Sequence, residues 1–270
     1  MGAQELDLLR VAVTVAREAS SLVESSRSSA ITDVDTKSSE TDVVTAADKA
    51  AERLVRDRLA ELRPGEPVLG EEEGESSAGA PAGGVCWVVD PIDGTVNYLY
   101  GYPWYAVSVA AQVDGVSVAG AVVEPASGRV WTAARGEGAW LDDRPLRVSG
   151  ADRLDLSLVS TGFAYRPERR RRQAAAIAGL LGRVRDIRRA GAASLDLCAV
   201  AAGWVDAYAE HGLSRWDWAA GALVAEEAGA IVRVPGDGSD GLGAEAIIAS
   251  APGVADEFHT ALREVGFGVV

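Results

Sequence analysis

Two carboxylates three residues apart, followed at once by a glycine and a hydroxyl, stand at Asp90-Pro91-Ile92-Asp93-Gly94-Thr95. Ahead of them Val85-Cys86-Trp87-Val88-Val89 is an apolar, β-branched strand pattern. The spacing therefore predicts an acidic pair leaving a buried strand in a turn, with Gly94-Thr95 opening a short helix. Carboxylates at a strand end suit a hard divalent cation, which takes oxygen ligands. Backbone N–H groups at a helix start suit a phosphate. The hexapeptide holds both halves of a metal-assisted phosphate site. Read alone it is equally an ordinary polar turn, because Asp-Gly is a common turn signal.

Other segments also carry acids at element boundaries: Gly70-Glu71 after a strand, Trp216-Asp217 before a helix, and Asp48 in a helical first turn. Acids scattered along a chain can converge in space, and a cation is what makes such convergence cheap.

The elements that must position these groups follow from pattern. Met1 to Arg27 reads as an amphipathic helix with Leu6, Leu9, Val13 and Ala16 on one face. A Ser-rich stretch, Ser25 to Ser39, separates it from Asp42-Val43-Val44-Thr45. Thr45 and Asp48 form a capping-box pattern for a helix with Ala51, Val55, Leu59 and Leu62 on one face, which Pro64-Gly65 ends. Val68-Leu69-Gly70 is a short strand, and Gly74 to Gly84 a small-residue, mobile loop. Tyr105 to Val113 and Val116 to Val123 flank Asp114-Gly115, a two-residue hairpin signal. Strands over Arg129 to Ala134 and Ala139 to Leu141 continue a meander. Strands are expected at Leu156 to Thr161, Val184 to Arg188, Val205 to Glu210, Ile231 to Val234 and Ala246 to Ser250. Helices are expected at Arg169 to Leu181, Ala192 to Ala202, Asp217 to Ala228 and Val254 to Val265. The result is a layered α/β protein of two tightly coupled halves, 1–150 and 151–270, forming one catalytic unit.

Composition narrows the function. The 270 residues are 48% hydrophobic and 24% charged, a globular balance with room for a large core. The net charge of −14 argues against a general nucleic-acid binder, which needs positive surface. Arg166, Arg169, Arg170, Arg171 and Arg172, followed by Arg183, Arg185, Arg188 and Arg189, are a local exception. They read first as a solvated helix face with a flanking strand, and second as a patch for an anionic partner. Cys86 and Cys198 sit in apolar segments and read as core thiols. No apolar run of membrane-spanning length and no signal-peptide pattern occurs, so a cytoplasmic enzyme is expected.

Lys37-Ser38-Ser39, Asp42-Val43-Val44-Thr45-Ala46-Ala47-Asp48, Gly70-Glu71-Glu72, Trp87 to Tyr98 and Trp216-Asp217-Trp218-Ala219-Ala220-Gly221 occur in that order. Together they resemble the inositol monophosphatase family of Mg²⁺-dependent, lithium-sensitive phosphatases, from about Leu6 to the final helix. The resemblance implies an α-β-α-β-α sandwich, a homodimer, and activity on small phosphate monoesters. It implies that Glu71, Asp90 and the Ile92 carbonyl hold one Mg²⁺, that Asp90, Asp93 and Asp217 hold a second, and that a third leans on Glu71. It gives Thr95 the attacking water to orient and Asp48 a hydrogen bond to accept from Thr95, alongside the helix-capping role of Asp48.

By the same resemblance, Gly94 and Thr95 offer backbone N–H groups to phosphate, with Asp93 and Asp217 also beside the substrate. Glu210 accepts from a ring hydroxyl, and Gly191 and Ala193 touch the ring, with Ala192 standing where the family often has Thr or Ser. Lys37 lies in a loop that approaches the site in the family, and is otherwise an exposed lysine. His211 is given no catalytic role and His259 a surface position, while Trp87 and Trp216 read as core anchors. No covalent phosphoenzyme is expected, since no nucleophile is paired with a base. The implied substrate is myo-inositol 1-phosphate. Fructose 1,6-bisphosphate, histidinol phosphate and 3′-phosphoadenosine 5′-phosphate are the alternatives on the same scaffold. A regulatory protein in a transcription complex is the alternative of a different class.

Overall fold

The computed structural model describes residues 2–30, 34–36, 43–76, 81–236 and 238–270. In chain order the elements are α1 (Gly2–Ala30), β1 (Val34–Thr36), β2 (Val43–Thr45), α2 (Ala46–Leu62), β3 (Val68–Gly70), β4 (Gly74–Glu75), β5 (Val85–Asp93) and α3 (Thr95–Tyr100). A meander follows: β6 (Ala106–Val113), β7 (Val116–Val123), β8 (Val130–Ala134), β9 (Gly138–Leu141) and β10 (Arg144–Pro145). Then come β11 (Leu158–Thr161), α4 (Pro167–Leu181), β12 (Asp186–Arg188), α5 (Ala193–Ala201), β13 (Ala207–His211), α6 (Arg215–Glu227), β14 (Ile231–Arg233), β15 (Ala246–Ser250) and α7 (Ala255–Glu264).

These elements stack in five layers. An eight-stranded sheet has the order β10-β9-β8-β7-β6-β5-β3-β4, antiparallel except where β3 runs parallel to β5. A five-stranded sheet has the order β12-β11-β13-β15-β14. Helices α1 and α2 cover one face of the larger sheet, through Leu8, Val15, Val55 and Leu59 against Trp87, Val107 and Val109. Helices α5 and α6 fill the space between the sheets: Leu195 and Leu223 meet Val88 and Trp131, while Leu197 and Val200 meet Tyr208 and Ile247. Helices α4 and α7 close the far side, with Leu180 and Phe258 against Val159 and Ile248. Where α6 crosses α5, a Cβ on Gly221 would lie 2.8 Å from the Ser194 carbonyl oxygen, so only glycine permits that approach. The expected α-β-α-β-α sandwich is the observed fold.

Turn chemistry behaves as the sequence suggests. Asp114 and Gly115 both take positive φ, 49° and 82°, the backbone a tight two-residue hairpin needs. Thr45 caps α2 with the reciprocal Asp48 bond in place. Trp87 is a core anchor, fully buried, with its indole N–H donating to Glu66 at 2.7 Å. Cys86 and Cys198 are buried free thiols.

Several expectations are corrected. The Ser-rich stretch is not wholly a separator: α1 runs to Ala30, with the Ser25 hydroxyl turned back on the Leu22 carbonyl and tertiary bonds holding the helix end. Arg27 donates to the Tyr98 carbonyl at 3.0 Å, and the Tyr98 hydroxyl donates to the Val23 carbonyl at 3.1 Å. The buried stripe of α1 is Leu8, Ala12, Val15, Ala16, Ala19 and Val23; Leu6 is exposed and Leu9 and Val13 sit at the margin. Small alanines let the helix lie close on the sheet, and a reading weighted by side-chain size misses them. On α2, Leu62 is exposed at the last turn. Gly74–Glu75 is a short strand against β3 rather than loop, and residues 77–80 of that stretch lie outside the described residues. Strand β5 does not end at Val89: it continues to Asp93 past an irregularity between Asp90 and Asp93. His259 is half-buried, and among the described residues its Nε2 has no hydrogen-bond partner. No helix among the described residues is long and apolar enough to cross a membrane.

Candidate metal and phosphate site

The irregular end of β5 aims two carboxylates into one cavity. The Ile92 amide donates to Asp90 at 3.0 Å, which folds the chain back on Asp90 and carries Asp93 beyond it. Gly94 then takes φ +88°, a left-handed turn that favours glycine, and starts α3. Asp93 is held from the other half of the chain. The start of α5 gives it the Ala193 N–H at 3.2 Å, the Ser194 N–H at 2.7 Å and the Ser194 hydroxyl at 2.5 Å.

The third carboxylate arrives on α6. Asp217 stands in the first turn of that helix rather than before it, and accepts from the Ser214 N–H at 2.6 Å. Oxygens of Asp90, Asp93 and Asp217 all lie within 4.8 Å of one another. Glu71, in the turn after β3, lines the same cavity.

The electrostatics are costly. Burial, then the charge of Glu71, then those of Asp93 and Asp217 push the Asp90 carboxyl well above the usual range. Burial and the charges of Glu71 and Asp93 do the same to Asp217. Asp93 is raised by burial to about 6, held there by the hydrogen bonds from Ser194 and Ala193. Among the described residues none of the three is ion-paired to a basic side chain. An all-oxygen, like-charged, desolvated set of this kind fits a hard divalent cation, which would reverse the sign of each of these interactions.

Thr95 lines the cavity and meets Asp48 beneath it. The Thr95 hydroxyl lies 3.2 Å from Asp48 Oδ1 and 3.1 Å from the Ile92 carbonyl oxygen. The other Asp48 oxygen accepts from the Thr45 N–H at 2.8 Å and the Thr45 hydroxyl at 2.6 Å. Helix capping and contact with Thr95 are thus both made by one fully buried carboxylate.

The cavity, about 800 Å³, extends from these acids to a wall formed by Gly191, Ala193 and Glu210. Glu210 accepts from the Tyr208 hydroxyl at 2.8 Å, and burial raises its carboxyl to about 7. Its carboxylate lies over Gly162, where a Cβ would come within 1.9 Å of it. His211 is buried, its ring 4.5 Å from that of Phe267, and burial followed by the Arg169 charge lowers it to about 4.

Two expectations about this wall are corrected. Trp216 packs against the core with only part of its surface: it is half-buried and also lines the cavity, because the helix that aims Asp217 inward turns its neighbour along the rim. The arginine run is only partly a solvated face. Arg169 packs on Gly212 and ion-pairs with Glu245, while Arg166, Arg170, Arg171, Arg172 and Arg189 are exposed, Arg166, Arg172 and Arg189 among them also lining the cavity. Lys37 lies outside the described residues. Sequence reasoning missed Ser194, Ser214, Tyr208 and Gly162. Ser214 was readable, three residues before Asp217 in the capping-box spacing; the others carry no local signal.

Comparison with known proteins agrees with this geometry. The model of the inositol monophosphatase family matches residues 5–266. The inositol-1-monophosphatase of Mycobacterium leprae (strain TN) is 55% identical over 238 residues, covering 84% of this chain and 80% of that protein. The Nus factor SuhB of Pseudomonas aeruginosa is 40% identical over 229 residues, covering 83% and 84%. The solved structure of Mycobacterium tuberculosis SuhB superposes with a TM-score of 0.82 at 46% identity, covering 97% of this chain and 98% of that one.

Proposed function

We propose, from the premise that this chain belongs to the inositol monophosphatase family, that it removes phosphate from myo-inositol 1-phosphate by direct attack of water in a Mg²⁺-dependent reaction. The observation that carries the reading is the convergence of Asp90, Asp93 and Asp217 within 4.8 Å, with no basic side chain ion-paired to them among the described residues.

In this reading Glu71, Asp90 and the Ile92 carbonyl would hold one Mg²⁺, Asp90, Asp93 and Asp217 would hold a second, and Glu71 would also serve a third. When bound, Mg²⁺ polarises the phosphoryl group, makes water a better nucleophile at neutral pH and stabilises the leaving alkoxide. Thr95 points its proton at Asp48, which leaves its oxygen lone pairs to accept from the attacking water and orient it for in-line displacement. Asp48 is itself fixed by Thr45, so the Thr95 rotamer is held before substrate arrives. Backbone N–H groups of Gly94 and Thr95 receive phosphate oxygens, with Asp93 and Asp217 beside the phosphate. Gly191 and Ala193 form the ring wall. Tyr208 occupies Glu210 Oε2, and a ring hydroxyl is assigned to Oε1. The halves 1–150 and 151–270 work as one catalytic unit, which the grip of Ser194 on Asp93 supports. The same reading makes the enzyme a cytoplasmic, lithium-sensitive homodimer.

The test is phosphate release with Mg²⁺ from myo-inositol 1-phosphate, fructose 1,6-bisphosphate, histidinol phosphate and 3′-phosphoadenosine 5′-phosphate. The expected outcome is the highest kcat/KM on the inositol ester and loss of all turnover with a chelator. Tenfold preference for another substrate, or turnover that survives chelation, overturns it.

A second reading, an interaction protein in a transcription complex, is supported by the relative named as a Nus factor and by the exposed Arg170 and Arg171. Each carboxylate the catalytic reading requires is present, so any such role is additional to catalysis.

A further inference from the structure

Helix α2 carries a second buried acid one turn beyond Asp48. Glu52 is fully buried, and its carboxylate accepts the Glu72 N–H at 2.7 Å and the Glu73 N–H at 3.0 Å. Those two amides belong to the turn that begins with Glu71. Arg56, one turn further along the same helix, clamps this arrangement. It bonds Glu52 through Nε at 2.9 Å and also reaches the Gly74 carbonyl at 2.5 Å and the Val68 carbonyl at 3.3 Å. The strand, the turn and the return strand around Glu71 are therefore tied to two adjacent turns of one helix.

A second observation concerns the residue before Glu71. A Cβ on Gly70 would lie 2.2 Å from Glu52 Oε1 and 2.4 Å from its carboxyl carbon. Gly70 does not have a positive φ, so its backbone makes no demand for glycine. The space is taken by Glu52. A buried carboxylate that contacts both sides of Glu71 fixes where the Glu71 backbone sits, and a carboxylate on a fixed backbone is a preorganised ligand.

We infer that Glu52 is a positioning residue that sets the metal affinity of the site by holding the Glu71 turn, with Arg56 holding Glu52. The inference rests on the reading of Glu71 as a metal ligand. Because Asp48 and Glu52 lie at i and i+4 on one helical face, α2 fixes the Thr95 contact and the Glu71 turn in a single register.

The experiment uses the full chain and Mg²⁺ alone. Tm is followed as Mg²⁺ is added without substrate, and activity is followed against Mg²⁺ in parallel. Glu52→Gln preserves volume while removing the charge that binds two amides and a guanidinium. It is expected to raise the Mg²⁺ concentration at half-effect by about tenfold or more in both measurements, whatever it does to the metal-free Tm. Glu71→Gln is expected to do the same. The double variant should exceed the larger single effect by less than about twofold, because both act through one ligand. A Glu52→Gln protein that loses metal-free Tm but keeps its Mg²⁺ dependence, while Glu71→Gln shifts it, overturns the inference alone. An unshifted Glu71→Gln overturns the ligand assignment and the inference with it. If Glu52→Gln does not fold, Arg56→Lys decides, with about a threefold rise expected and no rise overturning the proposal.

Discussion

Glu124 and the trio Asp90, Asp93 and Asp217 are carboxylates drawn into the protein, Asp217 half-buried and the others buried, and they differ in what surrounds them. Glu124 is 1% exposed, yet it accepts from Arg129 at 2.5 Å, from the Trp131 indole at 2.7 Å and from the Ser127 hydroxyl at 2.8 Å. Each oxygen has a donor and the charge has its opposite. The trio has hydrogen-bond donors for geometry but, among the described residues, no ion pair to a basic side chain, and its charged neighbours are further acids. Burial of an acid does not mark a site. Burial together with like charge does, because the fold then carries an electrostatic cost that only a bound cation removes.

Substitutions should separate the two regions. The largest effect is expected at Asp93→Asn, with turnover falling by about a thousandfold or more because a ligand charge is lost. Its metal-free Tm should change little, since relief of the repulsion among the acids offsets the hydrogen bond from Ala193 or Ser194 that an amide nitrogen cannot accept. In the unaltered protein, Mg²⁺ at about a hundred times its Kd should stabilise by about 2.7 kcal/mol, and chelation should remove that gain; in Asp93→Asn most of it should be absent. Near-normal turnover of Asp93→Asn at saturating Mg²⁺ would end the site assignment.

Glu124→Gln should show the converse. Loss of a paired buried charge leaves Arg129 short of its partner and should cost about 2–4 kcal/mol, or roughly 4–16 °C of Tm at 2–4 °C per kcal/mol. Its kcat should stay within about twofold. A large kcat loss without a Tm loss would place Glu124 with the catalytic acids instead.

Glu210 lies between these cases, half-buried, with the Tyr208 hydroxyl donating to it and its carboxyl raised to about 7. It is neutral below that pH and ionised above it, and the ionised form is the stronger acceptor. The KM for a polyol phosphate should therefore fall as pH rises through about 7, and Glu210→Gln should abolish that inflection. The same variant should cost about tenfold in kcat/KM on polyol phosphates while sparing simple aryl phosphates. An unchanged ranking of substrates would remove Glu210 from ring recognition.

The smallest effect is expected at an exposed pair. The Arg233 hydrogen bonds, with the Leu242 amide, lower the Asp240 carboxyl to about 2. A depressed carboxylate stabilises above its unfolded pKa, and that contribution is lost as pH falls through about 2. Asp240 is 38% exposed, so solvent screening keeps the effect of Asp240→Asn at pH 7 below about 1 kcal/mol.

Much of this protein was legible in order of sequence. The β-branched run ahead of Asp90, the Asp114-Gly115 turn and the Thr45–Asp48 cap are local, and local chemistry dictated them. The contact between Thr95 and Asp48 was accessible only through the family resemblance, since 47 residues separate the pair. Where sequence reading failed, a partner remote in the chain was responsible. Ala12 and Ala19 are core because a sheet lies against them, and Trp216 lines the cavity because α6 is anchored by its neighbour Asp217.

The sequence by itself determined the reaction chemistry: acids, a glycine turn and a hydroxyl in one order, and a family with a known use for them. The tertiary structure alone decided which acids meet. Asp90 and Asp217 are 127 positions apart in number, and no local preference brings them together; packing of α6 between two sheets does. It also decided that Ser194 holds Asp93 and that Glu52 holds the Glu71 turn. Hydrogen bonds across such separations depend on the register of packed layers, and register is a property of the whole core.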